Sequence, residues 1–276
     1  MTMSMDDSIN PPTQTLAQLF DLSGKVAIVT GGGRGIGQST AFRLAEVGAH
    51  VVIADLNEAS AQATAAAIRE RGGAAEPLVV DVSDVASITT GFNRIAETRG
   101  RIDVLVNNAA IFPIRPFFET DDELWKKTLD INVMGTMRCT RAAAPHMARS
   151  GGGSVVNLAS IAGMHPEGDM VHYETSKGAV LMLTKSLAWE LREMRIRVNA
   201  VAPGGIQTPG ARLSIEYILN DPKKLMARSK NFFSRLPLKR MGEPDDVARA
   251  ILFLATPMAD YVTGAMLLVD GGFLLS

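Results

Sequence analysis

The sequence predicts a doubly wound α/β fold: a parallel seven-stranded sheet with helices on both faces, all in one domain. Three observations carry this. Strand-like and helix-like segments alternate along most of the chain from Lys25 onward, the pattern of repeated βαβ units. The candidate strands are rich in Val and Ile while the segments between them have helical character. Finally, 276 residues with 46% hydrophobic and 21% charged side chains suit one large globular α/β unit able to bury a sizeable core.

The elements follow in order. Residues 1–20 carry Pro11 and Pro12 among polar residues and are expected to form an N-terminal extension, leaving 21–276 as the single folded domain. Met3 and Met5 are alternative starts. VAIVT (26–30) is the first strand, GIGQSTAFRLAEVG (35–48) a helix, and HVVIAD (50–55) the second strand. A helix over 58–72, a strand AEPLVVDV (75–82), a helix over 85–100 and a strand DVLVNNA (103–109) continue the alternation. One long helix is expected over 121–150, then a strand GSVVNLAS (153–160), a second long helix over 171–194, a strand IRVNAVAP (196–203) and a last strand within 264–272. The irregular span from about 204 to 240 has the mixed amphipathic character of a lid over a site.

Composition narrows the function. A net charge of −1 with scattered Lys and Arg disfavours nucleic acid and anionic membranes as partners and points to a small molecule. The N-terminal residues lack a basic start and an apolar core, and no apolar run reaches spanning length, so a cytoplasmic location is expected. The single cysteine, Cys139, reads as a small core residue. His165 and His172 show no metal-ligand spacing with carboxylates, so no metal site is expected; His165 is a candidate substrate contact instead. Phe112, Met164, Met226, Phe232 and Phe233 are candidate apolar pocket residues, with ordinary packing the alternative.

Two local patterns carry chemistry. In TGGGRGIG (30–37), directly after the first strand, Gly31, Gly35 and Gly37 permit a tight turn and close approach of a pyrophosphate to the N-terminus of the following helix. Asp55 closes the second strand, where its carboxylate would accept the ribose hydroxyls of an adenosine and repel a 2′-phosphate; helix capping is its other use. Arg34 would instead attract such a phosphate, and the balance favours NAD over NADP. Asp81, near the end of the third strand, is placed for an adenine amino group or for a helix cap. The second pattern is Tyr173 and Lys177, four residues apart on one helical face, downstream of Ser160 at a strand's exit. A phenol is a poor base at neutral pH, and a neighbouring ammonium would stabilise its phenolate. With a nicotinamide and the Ser160 hydroxyl, this set suits hydride transfer at an alcohol or carbonyl carbon.

Over residues 21–273 the chain resembles the classical short-chain dehydrogenase/reductase family, a Rossmann-like fold. Residues 30–37 resemble its T-G-x-x-x-G-x-G loop, and Asn107–Ala110 its N-N-A-G motif with Ala110 in place of Gly. DINVMG places Asn132 at the family's catalytic Asn, Ser160, Tyr173 and Lys177 occupy its Ser and Y-x-x-x-K positions, and PGGIQT (203–208) is similar to its nicotinamide-side segment. The resemblance implies catalytic residues Asn132, Ser160, Tyr173 and Lys177, with Asn132 supporting a water-linked proton relay from Lys177. It implies cofactor contacts from Gly31, Arg34, Gly35, Ile36, Gly37, Asp55, Leu56, Asp81, Val82, Asn108, Tyr173, Lys177, Pro203, Gly204, Ile206 and Thr208. The expected activity is NAD-dependent interconversion of a secondary alcohol and its ketone by a homotetramer or dimer. Competing readings are a redox-neutral sugar-nucleotide epimerase or dehydratase, for which about 70 residues after Pro203 leave little room, and a non-catalytic dinucleotide-binding protein, which would show a broken site.

Overall fold

Alternate side chains of the first strand, β1 (Val26–Thr30), enter opposite layers of the computed structural model, which describes residues 12–211 and 234–276. Ala27 and Val29 join one buried cluster, and Val26 and Ile28 join another on the far side. This follows from the two-residue period of a strand covered on both faces.

The sheet has seven parallel strands in the order β3-β2-β1-β4-β5-β6-β7. The others are β2 (His50–Asp55), β3 (Ala74–Val79), β4 (Val104–Asn107), β5 (Gly153–Leu158), β6 (Ile196–Pro203) and β7 (Met266–Val269). A short helix α1 (Leu16–Phe20), held by a Thr15–Gln18 capping box, precedes them. One layer is formed by α2 (Gly35–Glu46), α3 (Glu58–Glu70) and a C-terminal helix, α8 (Pro244–Ala255); Leu44, Ile68 and Ile251 are buried beneath it. The other is formed by α4 (Val85–Arg99), α6 (Thr136–Arg149) and α7 (Val171–Glu190), over Phe92, Met147 and Val155. Cys139 lies in this layer at 1% exposure, and burial pushes its thiol up to about 12, so it is a core residue. Strand order reverses between β1 and β4, where Thr30 is in register with Asn107. The crevice at their C-terminal ends is where ligands of open parallel sheets bind.

Three expectations need correction. The long helix over 121–150 is two helices, α5 (Asp122–Leu129) and α6, joined by a π-helical turn over Asp130–Gly135 that contains Asn132. The wider turn inserts one residue into the ladder and re-aims the side chains around it. Helix α8 was not anticipated, although Pro244 at its start, Asp245 and Asp246 in its first turn and buried Val247, Ile251 and Leu254 are ordinary helix signals. The third, fourth and last strands are shorter than expected, so Asp81 and Val82 lie beyond the end of β3. Most of the span expected as a lid, including Met226, Phe232 and Phe233, lies outside the described residues.

Candidate active site

The glycine loop is built by exclusion. Gly31 and Gly35 have φ of +62° and +57°, in the left-handed region that side chains disfavour. A Cβ on Gly31 would lie 2.8 Å from Asn108 Nδ2, and one on Gly37 would lie 2.6 Å from the same atom. Asn108 is therefore the strut of the loop: its Nδ2 donates to the carbonyls of Thr30 (2.9 Å) and Gly31 (3.0 Å). Thr30 completes the brace, its Oγ1 accepting the N–H groups of Asn108 (3.0 Å) and Ala109 (3.1 Å). Ala110 is not among the described residues with positive φ, so the glycine usual at its position in the family motif is not needed here.

Helix α2 opens at this loop without a side-chain cap: Arg34 holds the N-cap position, and its side chain makes no capping hydrogen bond. Its first N–H groups and the positive end of its dipole thus face the crevice, the arrangement that receives a pyrophosphate. At the end of β2, Asp55 Oδ2 accepts from Gly33 N at 2.9 Å and Oδ1 from Asn57 N at 2.9 Å, so the carboxylate borders the loop. The cap of α3 is Asn57 rather than Asp55, and the cap of α4 is Asp84 rather than Asp81. Asp81 instead receives Ser83 N (2.8 Å) and Ser83 Oγ (2.6 Å). Leu56 is exposed at 68%, Val82 packs near Gly135, and Ile36 lies partly buried in the first turn of α2. Arg34 is exposed and makes no ion pair among the described residues. Across the crevice Pro203 ends β6, Gly204 N donates to Val269 O (3.0 Å), and Ile206 is buried. The Cβ of Thr208 lies 3.5 Å from where a Cβ on Gly35 would be, so the 203–208 segment reaches the glycine loop. An uncapped helix end, a loop with no room for side chains and a carboxylate at the second strand's tip fit a dinucleotide.

Beside this groove, Ser160 follows β5 and Tyr173 and Lys177 occupy the first two turns of α7. Burial pushes the Tyr173 hydroxyl up to about 12, opposed by the neighbouring Ser160 hydroxyl. Burial draws Lys177 down to about 8. Its Nζ donates to Leu158 O at 2.6 Å and lies 5.7 Å from the centre of the Tyr173 ring. Desolvation dominates at Tyr173 in the protein alone, and the expected phenolate-stabilising effect of Lys177 does not register against it. Tyr173 and Lys177 are nonetheless brought together with Ser160.

Asn132 is 1% exposed and its side chain has two tasks. Its Oδ1 accepts Ile111 N (2.9 Å) and its Nδ2 donates to Ile111 O (2.9 Å), which fixes the loop after β4. The same Nδ2 donates to Ser176 Oγ (3.0 Å), whose hydroxyl in turn donates to Tyr173 O (2.7 Å). Ser176 and Thr30 are the residues that the sequence reading missed. Their signal was position only: Ser176 is one turn beyond Tyr173, and Thr30 opens the glycine loop. His165 Nε2 accepts from Arg235 Nη1 at 2.9 Å, and His172 donates Nε2–H to Pro113 O at 3.0 Å. Among the described residues no cluster of His, Cys, Asp or Glu could hold a metal ion.

Comparison with known proteins agrees with this geometry. Residues 31–274 match the family described as enoyl-(acyl carrier protein) reductase. The chain is 40% identical over 247 residues to the short-chain reductase protein NovJ of Streptomyces niveus, covering 90% of this chain and 93% of that one. A 7α-hydroxysteroid dehydrogenase solved with NADH and 7-oxo glycochenodeoxycholic acid superposes with a TM-score of 0.87 at 32% identity, over 94% of this chain and 98% of that one. A gluconate 5-dehydrogenase from Burkholderia cenocepacia J2315, solved with NADP and tartrate, superposes with a TM-score of 0.87 at 34% identity, over 94% and 99%.

Proposed function

The chain belongs to the short-chain dehydrogenase/reductase family, whose members named above are oxidoreductases, and we propose that it interconverts a secondary alcohol and its ketone with NAD. The observation that carries this is the placing of Tyr173 and buried Lys177 one turn apart on α7, with Lys177 Nζ 5.7 Å from the centre of the Tyr173 ring, beside Ser160 at the end of β5. The two solved relatives act, by their names, on a hydroxysteroid and on gluconate at a numbered ring or chain carbon. Both substrates are consistent with a secondary alcohol.

The bound nicotinamide supplies the hydride acceptor for oxidation and the donor for reduction. The protein supplies the proton chemistry. Ser160 orients the substrate oxygen, and Tyr173 removes its proton in oxidation or returns it in reduction. Lys177 favours the phenolate and contacts the cofactor ribose, and the relay to solvent runs from it through water near Asn132. Gly31, Arg34, Gly35, Ile36 and Gly37 hold the pyrophosphate side; Asp55, Leu56, Asp81, Val82 and Asn108 line the adenosine side; Pro203, Gly204, Ile206 and Thr208 line the nicotinamide side.

Asp55 makes NAD the preferred cofactor, because a 2′-phosphate would bring added negative charge against a carboxylate already anchored to Gly33 N. Asp55→Ser should relieve that repulsion and let Arg34, which makes no ion pair among the described residues, take the phosphate. The ratio of kcat/KM for NADP over NAD should rise roughly five- to 150-fold, equivalent to about 1–3 kcal/mol. A wild-type protein that prefers NADP would show that Arg34 outweighs Asp55.

The protein is proposed to work in the cytoplasm as a homotetramer or dimer. No described helix is long and apolar enough to cross a membrane. On α7, Met182 and Trp189 are 63% and 67% exposed, and the edge strand β7 presents Met266, Leu267 and Leu268. An unpaired apolar edge and an apolar helix face are features that association covers. Light scattering at micromolar concentration should give two or four times the 29.5 kDa chain mass; a monomer would refute it.

A further inference from the structure

The geometry points to Phe112 as the residue that sets the size of the group carried on the reacting carbon, its ring forming a wall between Tyr173 and the backbone at Gly210. This rests on the reading of Tyr173 as the proton-transferring group of an alcohol–ketone oxidoreductase. The Phe112 and Tyr173 rings have centroids 6.0 Å apart and planes inclined by 57°, contact range for two aromatic side chains. On the other side, a Cβ built on Gly210 would lie 2.6 Å from Phe112 Cζ and 3.2 Å from Cε1. The ring therefore occupies the space that any side chain at position 210 would need.

The backbone on both sides of Phe112 is clamped by buried polar groups. Before it, Ile111 exchanges two hydrogen bonds of 2.9 Å with the Asn132 side chain, which is 1% exposed. After it, Pro113 has a restricted φ, and its carbonyl accepts His172 Nε2–H at 3.0 Å, from a ring that is fully buried and packed edge-on against Trp125. Two buried clamps spaced two residues apart leave the intervening ring little freedom to withdraw. The clamps come from the π-helical turn and from the residue preceding Tyr173. The wall is thereby referenced to the same elements that carry the proposed chemistry, as a specificity element requires.

The substrate class that follows is a secondary alcohol whose carbinol carbon presents an apolar, ring-sized face to Phe112. Shortening the wall and pushing it inward should have opposite effects. Phe112→Ala opens the space of a phenyl ring; Gly210→Ala presses on the Cζ end of that ring and drives it toward Tyr173. The experiment measures kcat/KM with NAD and with NADP for cyclopentanol, cyclohexanol and 4-tert-butylcyclohexanol in wild type and both variants. Thermal unfolding and fluorescence titration with reduced cofactor check the fold and the dinucleotide groove. The ratio for the bulky over the small alcohol should rise about tenfold or more in Phe112→Ala and fall by a similar factor in Gly210→Ala, the scale of discrimination available to an apolar wall. Phe112→Leu, which keeps an apolar filler, should give an intermediate ratio and carries the test if the Ala variant does not fold. Ratios that stay within about twofold of wild type in variants that fold and bind cofactor would overturn the assignment of Phe112 while leaving the alcohol–ketone reading intact. Wild type that turns over none of the panel, nor the matching ketones, with either cofactor would overturn the reading and the wall together.

Discussion

Tyr173→Phe should reduce turnover by roughly 10²-fold or more, the scale of a lost general acid–base group, while reduced cofactor still binds with nearly the wild-type dissociation constant. The substitution removes one oxygen and leaves the ring packed against Phe112, so the glycine loop and the Asp55 border should be untouched. The same role sets the sign of the pH dependence. Oxidation needs Tyr173 unprotonated, and burial raises its hydroxyl to about 12 in the protein alone. Alcohol oxidation should therefore climb through the alkaline range as the phenolate population grows, while ketone reduction, served by the protonated form, should hold steady and decline only as the pH nears about 12. A flat profile for both directions, with hydride transfer shown to limit the rate, would count against Tyr173 as the proton-transferring group.

Lys177→Ala should be more damaging still, with a loss of roughly 10³-fold, because it removes a cation beside the phenol and a proposed ribose contact together. It should also weaken cofactor binding, which Tyr173→Phe should not. Lys177 is 4% exposed and its Nζ donates to Leu158 O at 2.6 Å, so the Ala variant also leaves a cavity and an unpaired carbonyl. Lys177→Met removes the cavity from the comparison, since it keeps the packing volume while losing the charge and the hydrogen bond to Leu158 O. A Met variant with wild-type kcat and cofactor affinity would show that the buried ammonium is structural.

Much of the site was legible because its patterns are local. The spacing of Gly31, Gly35 and Gly37 directly after an apolar strand reports a tight turn, and Gly31 and Gly35 have the positive φ values such a turn requires. Tyr173 and Lys177 are four residues apart, which fixes their common face wherever the helix lies. What the sequence hid were contacts between distant segments and a small change of helical pitch. A π-helical turn at Asp130–Gly135 adds a single residue within one turn, too little to disturb the apolar periodicity of a long helix. The Asn132–Ile111 pair joins positions 21 apart through side-chain-to-backbone hydrogen bonds, for which residue type alone leaves no trace. The bracing role of Asn108, whose amide donates to the carbonyls of Thr30 and Gly31, is another contact that residue type alone does not reveal. Helix α8 was a different failure, because Pro244, Asp245 and the Val247–Ile251–Leu254 spacing were plain in the sequence.

The central claim is that this chain transfers a hydride between a secondary alcohol and NAD, with Tyr173 moving the proton. The most direct measurement follows absorbance at the reduced-nicotinamide band together with ketone product, in wild type and Tyr173→Phe, for a panel of secondary alcohols. Reduced cofactor and ketone should appear in equal amounts with wild type, and at about a hundredth of that rate or less with the variant. Conversion of substrate to a redox-neutral product with no net reduced cofactor, or a Tyr173→Phe protein as fast as wild type, would contradict it.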